Sequence, residues 1–147
     1  MDYRKYVLAD SIGFQISDAG RLVINRLNSN FKEQGYPVTH EQWSIMIRLW
    51  EEDGLNQNKL SILTGKDQPS VSRLINNLEK NGLVMRVVHP VDKRTNLIFL
   101  TPEGKKLQIG LIEQAQKTID QICYGIDKEE LTIFLKVLNE IKVNLSN

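Results

Sequence analysis

The chain has 147 residues, of which 41% are hydrophobic and 25% are charged. This length fits one domain of ordinary size, and the composition is that of a globular protein, which excludes collagen-like and disordered chains. No apolar run approaches the roughly 20 residues that span a bilayer, and the N-terminus lacks the continuous apolar stretch of a signal peptide. The one cysteine excludes an internal disulfide and a Cys-rich zinc site. We therefore expect a cytoplasmic protein that does not contact a membrane.

Formal charge is unevenly distributed along the chain, although the total is only +1. Residues 56–106 carry nine basic and four acidic side chains, a surplus of five positive charges, so the remaining residues together carry −4. The basic middle is the part expected to meet an anionic partner. A surplus of this size is equally consistent with an ordinary solvated surface.

The first half of the chain predicts four helices. From Tyr3 to about Phe31, apolar residues recur every three or four positions without a proline, which predicts one long helix. Residues 39–42 form a capping-box pattern and open a second helix, which Gly54 is expected to end as its C′ residue. A short helix over 57–64 and a tight turn then lead to a helix over 67–81, whose N-cap is an aspartate.

Two strands and two more helices complete the chain. Residues 83–88 and 97–100 predict a β-hairpin with a polar loop at its tip. Thr101, followed by proline, predicts the start of a helix that Gly125 ends, and Asp127 caps a last helix with near-heptad apolar spacing. The first helix and these last two carry more apolar surface than a small domain can hide. A closed two-fold dimer would bury that surplus.

The helix over 67–81 has an apolar stripe and an opposite polar face. At 100° per residue, this face consists of hydroxyls, amides and bases, with Glu79 the only acid after the N-cap. Such side chains pair with base edges and phosphates. Together with the short helix and the turn before it, the pattern is that of a helix-turn-helix. Taken alone, the polar face is more often the solvated side of an amphipathic helix.

The tip of the predicted hairpin places Lys93 and Arg94 on a protruding loop. An inserted arginine suits the negative potential of the DNA minor groove, and Asp92 is placed to hold its guanidinium through a bidentate pair. A lone loop of this kind would usually be an ordinary charged surface. A helix-turn-helix followed directly by a basic hairpin is much more specific than either piece.

Over nearly its whole length, the sequence resembles the winged helix-turn-helix regulators of the MarR (multiple antibiotic resistance) family, most specifically in residues 67–86, 92–94 and 100–104. The resemblance implies a mainly α fold with a small β-hairpin wing. It implies a DNA-binding lobe over 37–101 and a helical dimerisation region over 1–36 and 102–147, intertwined as one domain. The implied function is that of a transcriptional regulator, a repressor, acting as an obligate homodimer on pseudo-palindromic double-stranded DNA.

The resemblance also implies roles for individual residues. The residues that it places in the DNA major groove are Gln68, Ser70, Ser72, Arg73 and Asn76. Arg94 corresponds to the wing arginine of the minor groove, with Asp92 as its positioning partner. Arg86, at the base of the wing, is expected to be structural or phosphate-binding rather than base-reading.

A small-molecule pocket is implied where the dimer helices meet the DNA-binding lobe, with a small aromatic or apolar compound as its effector. The candidate lining residues are Ile12, Ile16, Trp43, Ile47, Trp50 and Ile112. Tryptophan and isoleucine at helical spacing are core residues first, so a purely structural role for them is the stronger expectation.

Other classes of function find little support in the sequence. It contains no P-loop, dinucleotide-binding, zinc-protease or nucleophile-elbow motif, so we expect no enzyme, no catalytic residue and no cofactor. His40 and His89 have no neighbouring ligand at metal-binding spacing, and Cys123 is expected to be a buried, inert thiol. The main alternative is a winged helix that serves as a protein-interaction module without ligand control. That alternative predicts no salt-dependent binding to duplex DNA.

Overall fold

Six α-helices and a three-stranded sheet make up residues 1–146, the part of the chain that the computed structural model describes. The helices are α1 (Ile12–Glu33), α2 (His40–Glu51), α3 (Gln57–Thr64), α4 (Gln68–Lys80), α5 (Pro102–Cys123) and α6 (Lys128–Leu145). The strands are β1 (Leu55–Asn56), β2 (Val84–Val88) and β3 (Asn96–Leu100), antiparallel in the order β1-β3-β2. The predicted fold, mainly α with a β-hairpin wing, is confirmed.

The N-terminal segment differs from the single long helix that periodicity predicts. Residues 3–5 and 8–10 form two separate 3₁₀ turns, and α1 begins only at Ile12. The Asp2 side chain caps the first turn, and the Ser11 hydroxyl caps α1. Side chains of this kind compete with a continuous helix for the backbone donors, an effect that apolar periodicity does not report.

A second correction concerns Gly54, which is not the C′ residue of α2. The helix ends at Glu51, and its C-cap residue, Glu52, is already extended. Gly54 has φ 74° and donates its N–H to the Ile98 carbonyl at 2.9 Å, which turns the chain into β1, a strand that the sequence analysis missed. A Cβ here would lie 2.9 Å from the Phe99 ring, so both the backbone and the packing require glycine.

The helix-turn-helix is built as the sequence predicts. The capping box at Thr39 and Gln42 opens α2, and α3 spans the expected residues. Gly65, at φ 67°, ends α3 in the left-handed region, and the Asp67 carboxylate caps α4 by accepting the Ser70 N–H at 2.8 Å. Local capping chemistry therefore sets both sides of the turn.

The core lies where α1, α2, α4 and α5 meet the sheet. Its fully buried apolar side chains come from every one of these elements and from α3, and they include Phe31, Ile45, Met46, Leu60, Ile75, Leu78, Ile98 and Leu111. The predicted apolar stripe of α4 (Val71, Leu74, Ile75 and Leu78) is buried in this core. Its polar face must therefore point away from the core.

Helix α6 stands apart from the remainder of residues 1–146. None of its residues is buried, and it makes at most marginal contact with other elements. Six large apolar side chains of α6 are exposed in the protomer, namely Ile133, Phe134, Leu135, Val137, Val143 and Leu145. Monomeric proteins seldom expose a contiguous apolar surface of this kind.

The start of α5 is fixed to the base of the wing by a close backbone approach at Gly104. A Cβ at this buried glycine would lie 2.1 Å from the Leu83 carbonyl oxygen. Thr101 reinforces the junction, because its N–H donates to that oxygen at 3.1 Å and its hydroxyl donates to the Gly82 carbonyl at 2.6 Å. Helix α5 and the wing are thus joined without a flexible linker.

Gly104→Ala is expected to destabilise the protein by about 2 kcal/mol or more, because the added methyl overlaps a backbone atom that cannot move without shifting β2. The measurement is urea unfolding followed by circular dichroism. Lys106→Ala, at an exposed position of the same helix, is the matched control, and its effect should stay within about 0.5 kcal/mol. Equal stabilities for the two variants would show that the junction relaxes freely.

Candidate nucleic-acid interface

The polar face of α4 is accessible along its length. Gln68, Arg73 and Asn76 are exposed, while Ser70 and Ser72 are half-buried at the flanks of the face, as helical geometry predicts. The face offers amide, hydroxyl and guanidinium groups, which are the side chains that hydrogen-bond to base edges and phosphates.

The wing carries Arg94 at its tip, with 96% of the side chain exposed. The β2–β3 register pairs Val88 with Asn96, so the loop from 89 to 95 projects beyond the last paired residues. A cation at the end of a two-stranded projection can reach a groove that a helix cannot enter.

One cleft brings the N-terminus of α4 and the wing together. It has a volume of about 430 Å³, and Gln68 and Arg94 both line it. The other lining residues are Asn56, Gln57, Asn58, Thr95 and Asn96. The two residues assigned to different DNA grooves by the family resemblance therefore lie on one continuous polar surface.

The amides of this cleft form a network that the sequence analysis missed. Gln57 donates from Nε2 to Gln68 Oε1 at 3.2 Å, and Gln68 donates from Nε2 to Asn58 Oδ1 at 2.8 Å. The network restricts the Gln68 amide before any ligand arrives. The run of three amides over 56–58, directly before α3, is the signal that could have indicated it.

Arg86 crosses from the base of the wing to α4. Its guanidinium donates to Glu79 Oε1 at 2.8 Å and also to Asn76 Oδ1. Arg86 is thus structural in this protomer, one of its two expected roles. The contact neutralises the only acid on the polar face and engages the carbonyl of a predicted base-reading amide.

The expected bidentate pair between Asp92 and Arg94 is not formed. Their side chains make one long contact of 3.7 Å between Nε and Oδ1. The carboxylate instead accepts the Arg94 backbone N–H at 3.1 Å and the Thr95 hydroxyl at 3.0 Å. The backbone hydrogen bond is the main reason why the pKa of Asp92 lies below its usual value. Asp92 shapes the loop rather than gripping the guanidinium, because two local donors compete for its oxygens.

The six residues considered for an effector pocket lie in different environments of the protomer. Ile12 and Ile16 line a cleft of about 310 Å³ with residues of α6, and none of the other four contributes to it. Trp43 packs edge-on against Phe31 with ring centroids 5.9 Å apart. Ile47 and Ile112 are half-buried, and Trp50 is 43% exposed.

Three further observations concern the metal-site, membrane and cysteine predictions. Among residues 1–146, no three His, Cys, Asp or Glu side chains come together in a group that could hold a metal ion. No helix in this part of the chain is long and apolar enough to cross a bilayer. Cys123 is partly exposed rather than buried, a correction to the sequence analysis, because it lies in the last turn of α5 where little packs over it.

Comparison with known proteins agrees with the helix-turn-helix and wing described above. Residues 38–95, from the start of α2 to the tip of the wing, match the model of the MarR family. The uncharacterized HTH-type transcriptional regulator YybA of Bacillus subtilis (strain 168) is 24% identical over 117 residues, which cover 80% of this chain and 78% of YybA.

Solved structures extend the likeness over nearly the whole chain. A MarR-family regulator from Rhodococcus sp. RHA1 has a TM-score of 0.81 at 26% identity, covering 93% of this chain and 96% of its own. CouR from Rhodococcus jostii RHA1, bound to p-coumaroyl-CoA, has a TM-score of 0.78 at 25% identity, with coverages of 93% and 95%. CouR bound to a 23-mer DNA duplex shares the fold, with a TM-score of 0.83 at 21% identity over 92% and 94%.

The matched segment contains the helix-turn-helix and the cleft residues from α3, α4 and the wing tip, and the shared fold includes the helices on both sides of it. The helix-turn-helix and wing of this protein therefore match the MarR family of winged helix-turn-helix transcriptional regulators, and nearly the whole chain shares the fold of solved MarR-family regulators.

Proposed function

We propose that the chain binds double-stranded DNA in a sequence-specific manner as a homodimer and represses transcription from pseudo-palindromic operators. The observation that carries the proposal is the shared polar cleft of Gln68 and Arg94, next to the exposed face of α4. In this arrangement α4 enters the major groove and Arg94 the adjacent minor groove. CouR, a transcriptional repressor of the same fold that has been solved bound to a 23-mer DNA duplex, supports a DNA-binding role.

Each polar residue of α4 has a distinct task in this proposal. Arg73 is the side chain able to pair bidentately with guanine, and Gln68 and Asn76 offer amides for adenine. Ser70 and Ser72, at the flanks, suit either bases or phosphates. The N-terminal end of the face also carries the Asp67 carboxylate, which stays ionised because the Ser70 N–H lowers its pKa. The charge of Arg73 is a further, smaller cause of that lowered pKa.

Dimerisation follows from the apolar surface that the protomer leaves uncovered. Exposed side chains of α6 and of the ends of α1 and α5 are best buried against a second copy, with residues 1–36 and 102–147 as the dimerisation region and 37–101 as the DNA-binding lobe. Two copies of α4 must then lie about 34 Å apart to use successive major grooves. Any change in the angle between subunits changes this spacing.

We also propose an effector site between α2 and α5. Within residues 1–146, four buried side-chain nitrogen or oxygen atoms lack a hydrogen-bond partner in the protein, and all belong to these two facing helices: Trp43 Nε1, Gln108 Nε2 and Oε1, and Gln114 Oε1. Each such group costs about 1–3 kcal/mol while it stays unpaired. A small aromatic or apolar effector with a polar group would satisfy them, and a CoA ester is bound by CouR. Such a ligand weakens DNA binding only if it prefers the DNA-incompetent dimer, typically by about 1–3 kcal/mol.

Arg73→Ala is expected to weaken operator binding by about 1–3 kcal/mol while changing affinity for random DNA much less, because a base contact is lost. Arg94→Ala should weaken binding to both. The operator is first obtained by genomic footprinting with the purified protein, and affinities are then measured by fluorescence anisotropy over a salt series.

Lys32→Ala is the control, because it removes an exposed positive charge at the far end of α1. If Arg73→Ala and Arg94→Ala bind as wild type does, the residue assignments are wrong. If the wild type shows no salt-dependent binding to duplex DNA, the protein-interaction module becomes the better explanation.

Arg86→Ala should weaken DNA binding although Arg86 lies off the base-reading face, because Glu79 is then left as an unpaired negative charge facing the phosphates. Adding Glu79→Gln should recover most of the loss. Anisotropy titrations of the single and double variants at one salt concentration measure this coupling. Equal losses in Arg86→Ala and the double variant would instead indicate a direct phosphate contact by Arg86.

Phe134→Asp should convert the dimer to monomers at low micromolar concentration, because it places a charge in the proposed apolar interface. Sedimentation velocity over a concentration series gives the measurement. Asn139→Asp introduces the same charge on a polar position of α6 and should leave the dimer intact. A wild type that is monomeric throughout the series would refute the dimer.

A further inference from the structure

The wing tip is folded by two consecutive side-chain caps, and the first of them is a histidine. His89 Nδ1 accepts the backbone N–H of Val91 at 3.1 Å and that of Asp92 at 3.0 Å. The backbone N–H of His89 donates to the Thr95 carbonyl at 2.9 Å, which closes the base of the loop. Pro90 has no N–H to place, so the imidazole takes both free donors of the first turn.

The second cap depends on the first. Asp92 stands where its own N–H is held by His89, and its carboxylate then accepts the Arg94 N–H and the Thr95 hydroxyl. The Thr95 N–H returns to the Asp92 carbonyl at 3.0 Å. The backbone position of Arg94 is therefore set through Asp92 by the imidazole at the end of β2.

Given the proposed DNA-binding function, on which this inference rests, we propose that His89 is the positioning residue of the wing, and that its imidazole holds Arg94 in place while Nδ1 is unprotonated. Both hydrogen bonds need the lone pair of Nδ1, so the ring must carry its proton on Nε2. An imidazolium has donors on both nitrogens and cannot accept either N–H. Protonation of His89 therefore releases the first turn of the loop.

The charged groups around His89 do not replace this cap. Asp92, Lys93 and Arg94 share its loop, and Asp92 is ionised throughout the range in which a histidine titrates, since the Arg94 N–H lowers its pKa. β3 adds no charged side chain between residues 96 and 100. Helix α4 packs against β2 and carries Glu79, which is paired with Arg86. It also carries the exposed Arg73 and Lys80. The imidazole is thus the group whose protonation would remove the first cap of the loop.

Affinity for DNA alone would not isolate this effect, because a protonated His89 also adds a positive charge that attracts phosphates. The loop is therefore observed first in the free protein. Nitrogen-15 NMR on the full chain, between about pH 8 and pH 5.5, reports the imidazole tautomer and the backbone order at Val91 and Asp92. We expect an ordered loop wherever Nδ1 is unprotonated and a loss of loop order wherever the ring is an imidazolium.

Two substitutions separate the acceptor from the ring. In His89→Asn the amide oxygen can occupy the place of Nδ1 and does not titrate, so the loop should stay ordered at every pH. In His89→Ala the loop should be disordered at every pH. His40→Asn is the control, because His40 lies on α2 rather than in the wing loop. Burial is the main cause of the lowered pKa of His40, and the nearby Lys66 is a further cause. This control should keep the wild-type profile of the loop.

The functional arm uses the footprinted DNA at the upper pH. His89→Ala should weaken binding about tenfold, which is near the upper end of the net contribution of one hydrogen bond, and His89→Asn should restore it. The double variant with Arg94→Ala should bind no worse than Arg94→Ala alone, because both changes remove the same contact.

Failure of the inference is distinguishable from failure of the proposed function. A ring that carries its proton on Nδ1 at the upper pH, or a loop in His89→Ala as ordered as in the wild type, overturns the inference even if DNA is bound. Wild-type affinity of His89→Ala together with weak binding by Arg94→Ala does the same. If the wild type binds no DNA at all, the proposed function is wrong, and the inferred role of His89 in positioning a DNA-binding arginine is overturned with it.

Discussion

Burial of the apolar stripe of α4 is the interaction on which the rest of the molecule depends. Val71, Ile75 and Leu78 are completely buried, and Leu74 is nearly so. Burying four such side chains contributes several kcal/mol, of order 1.5–3 each, and it fixes the rotation of the helix about its axis. Because the stripe is locked inward, the opposite face can keep its hydroxyls, amides and bases in solvent. The Arg86 bridge to Glu79 and Asn76 then adjusts the charge of that face without altering its orientation.

Much of this structure could be predicted because its determinants are local. Asp67 and Thr101 are capping residues whose effect extends over one helical turn, and the alternation over 83–88 marks a half-buried strand. Gly54 failed as a helix stop because its position is set by Phe99, which is distant in sequence. The first helix was predicted to be too long, because apolar periodicity does not take account of the side chains that cap backbone donors.

The same distinction between local and distant determinants applies to the candidate site. Side chains such as Arg73 and Arg94 could be identified from residue type and from a family pattern, because they project from elements that the sequence defines. The partners of these side chains could not be identified, because they come from separate segments. Gln57 and Asn58 meet Gln68 only after α3 and α4 have packed together, and no spacing rule for a single helix predicts such a network. The imidazole cap at the wing tip is local, but it uses a residue type that turn statistics seldom consider.

Helix α5 is uninterrupted, so a tilt at one of its ends moves the other end. This helix starts at the wing base, where Gly104 lies against a carbonyl oxygen, and its 22 residues span about 33 Å to the surface proposed for the second subunit. A tilt of about 10° at one end would carry the other end by about 6 Å, nearly two base-pair steps of duplex DNA at roughly 3.4 Å each. A rotation of this size at the proposed dimer surface would therefore shift the wing base by more than one base-pair step along the DNA of the proposed complex.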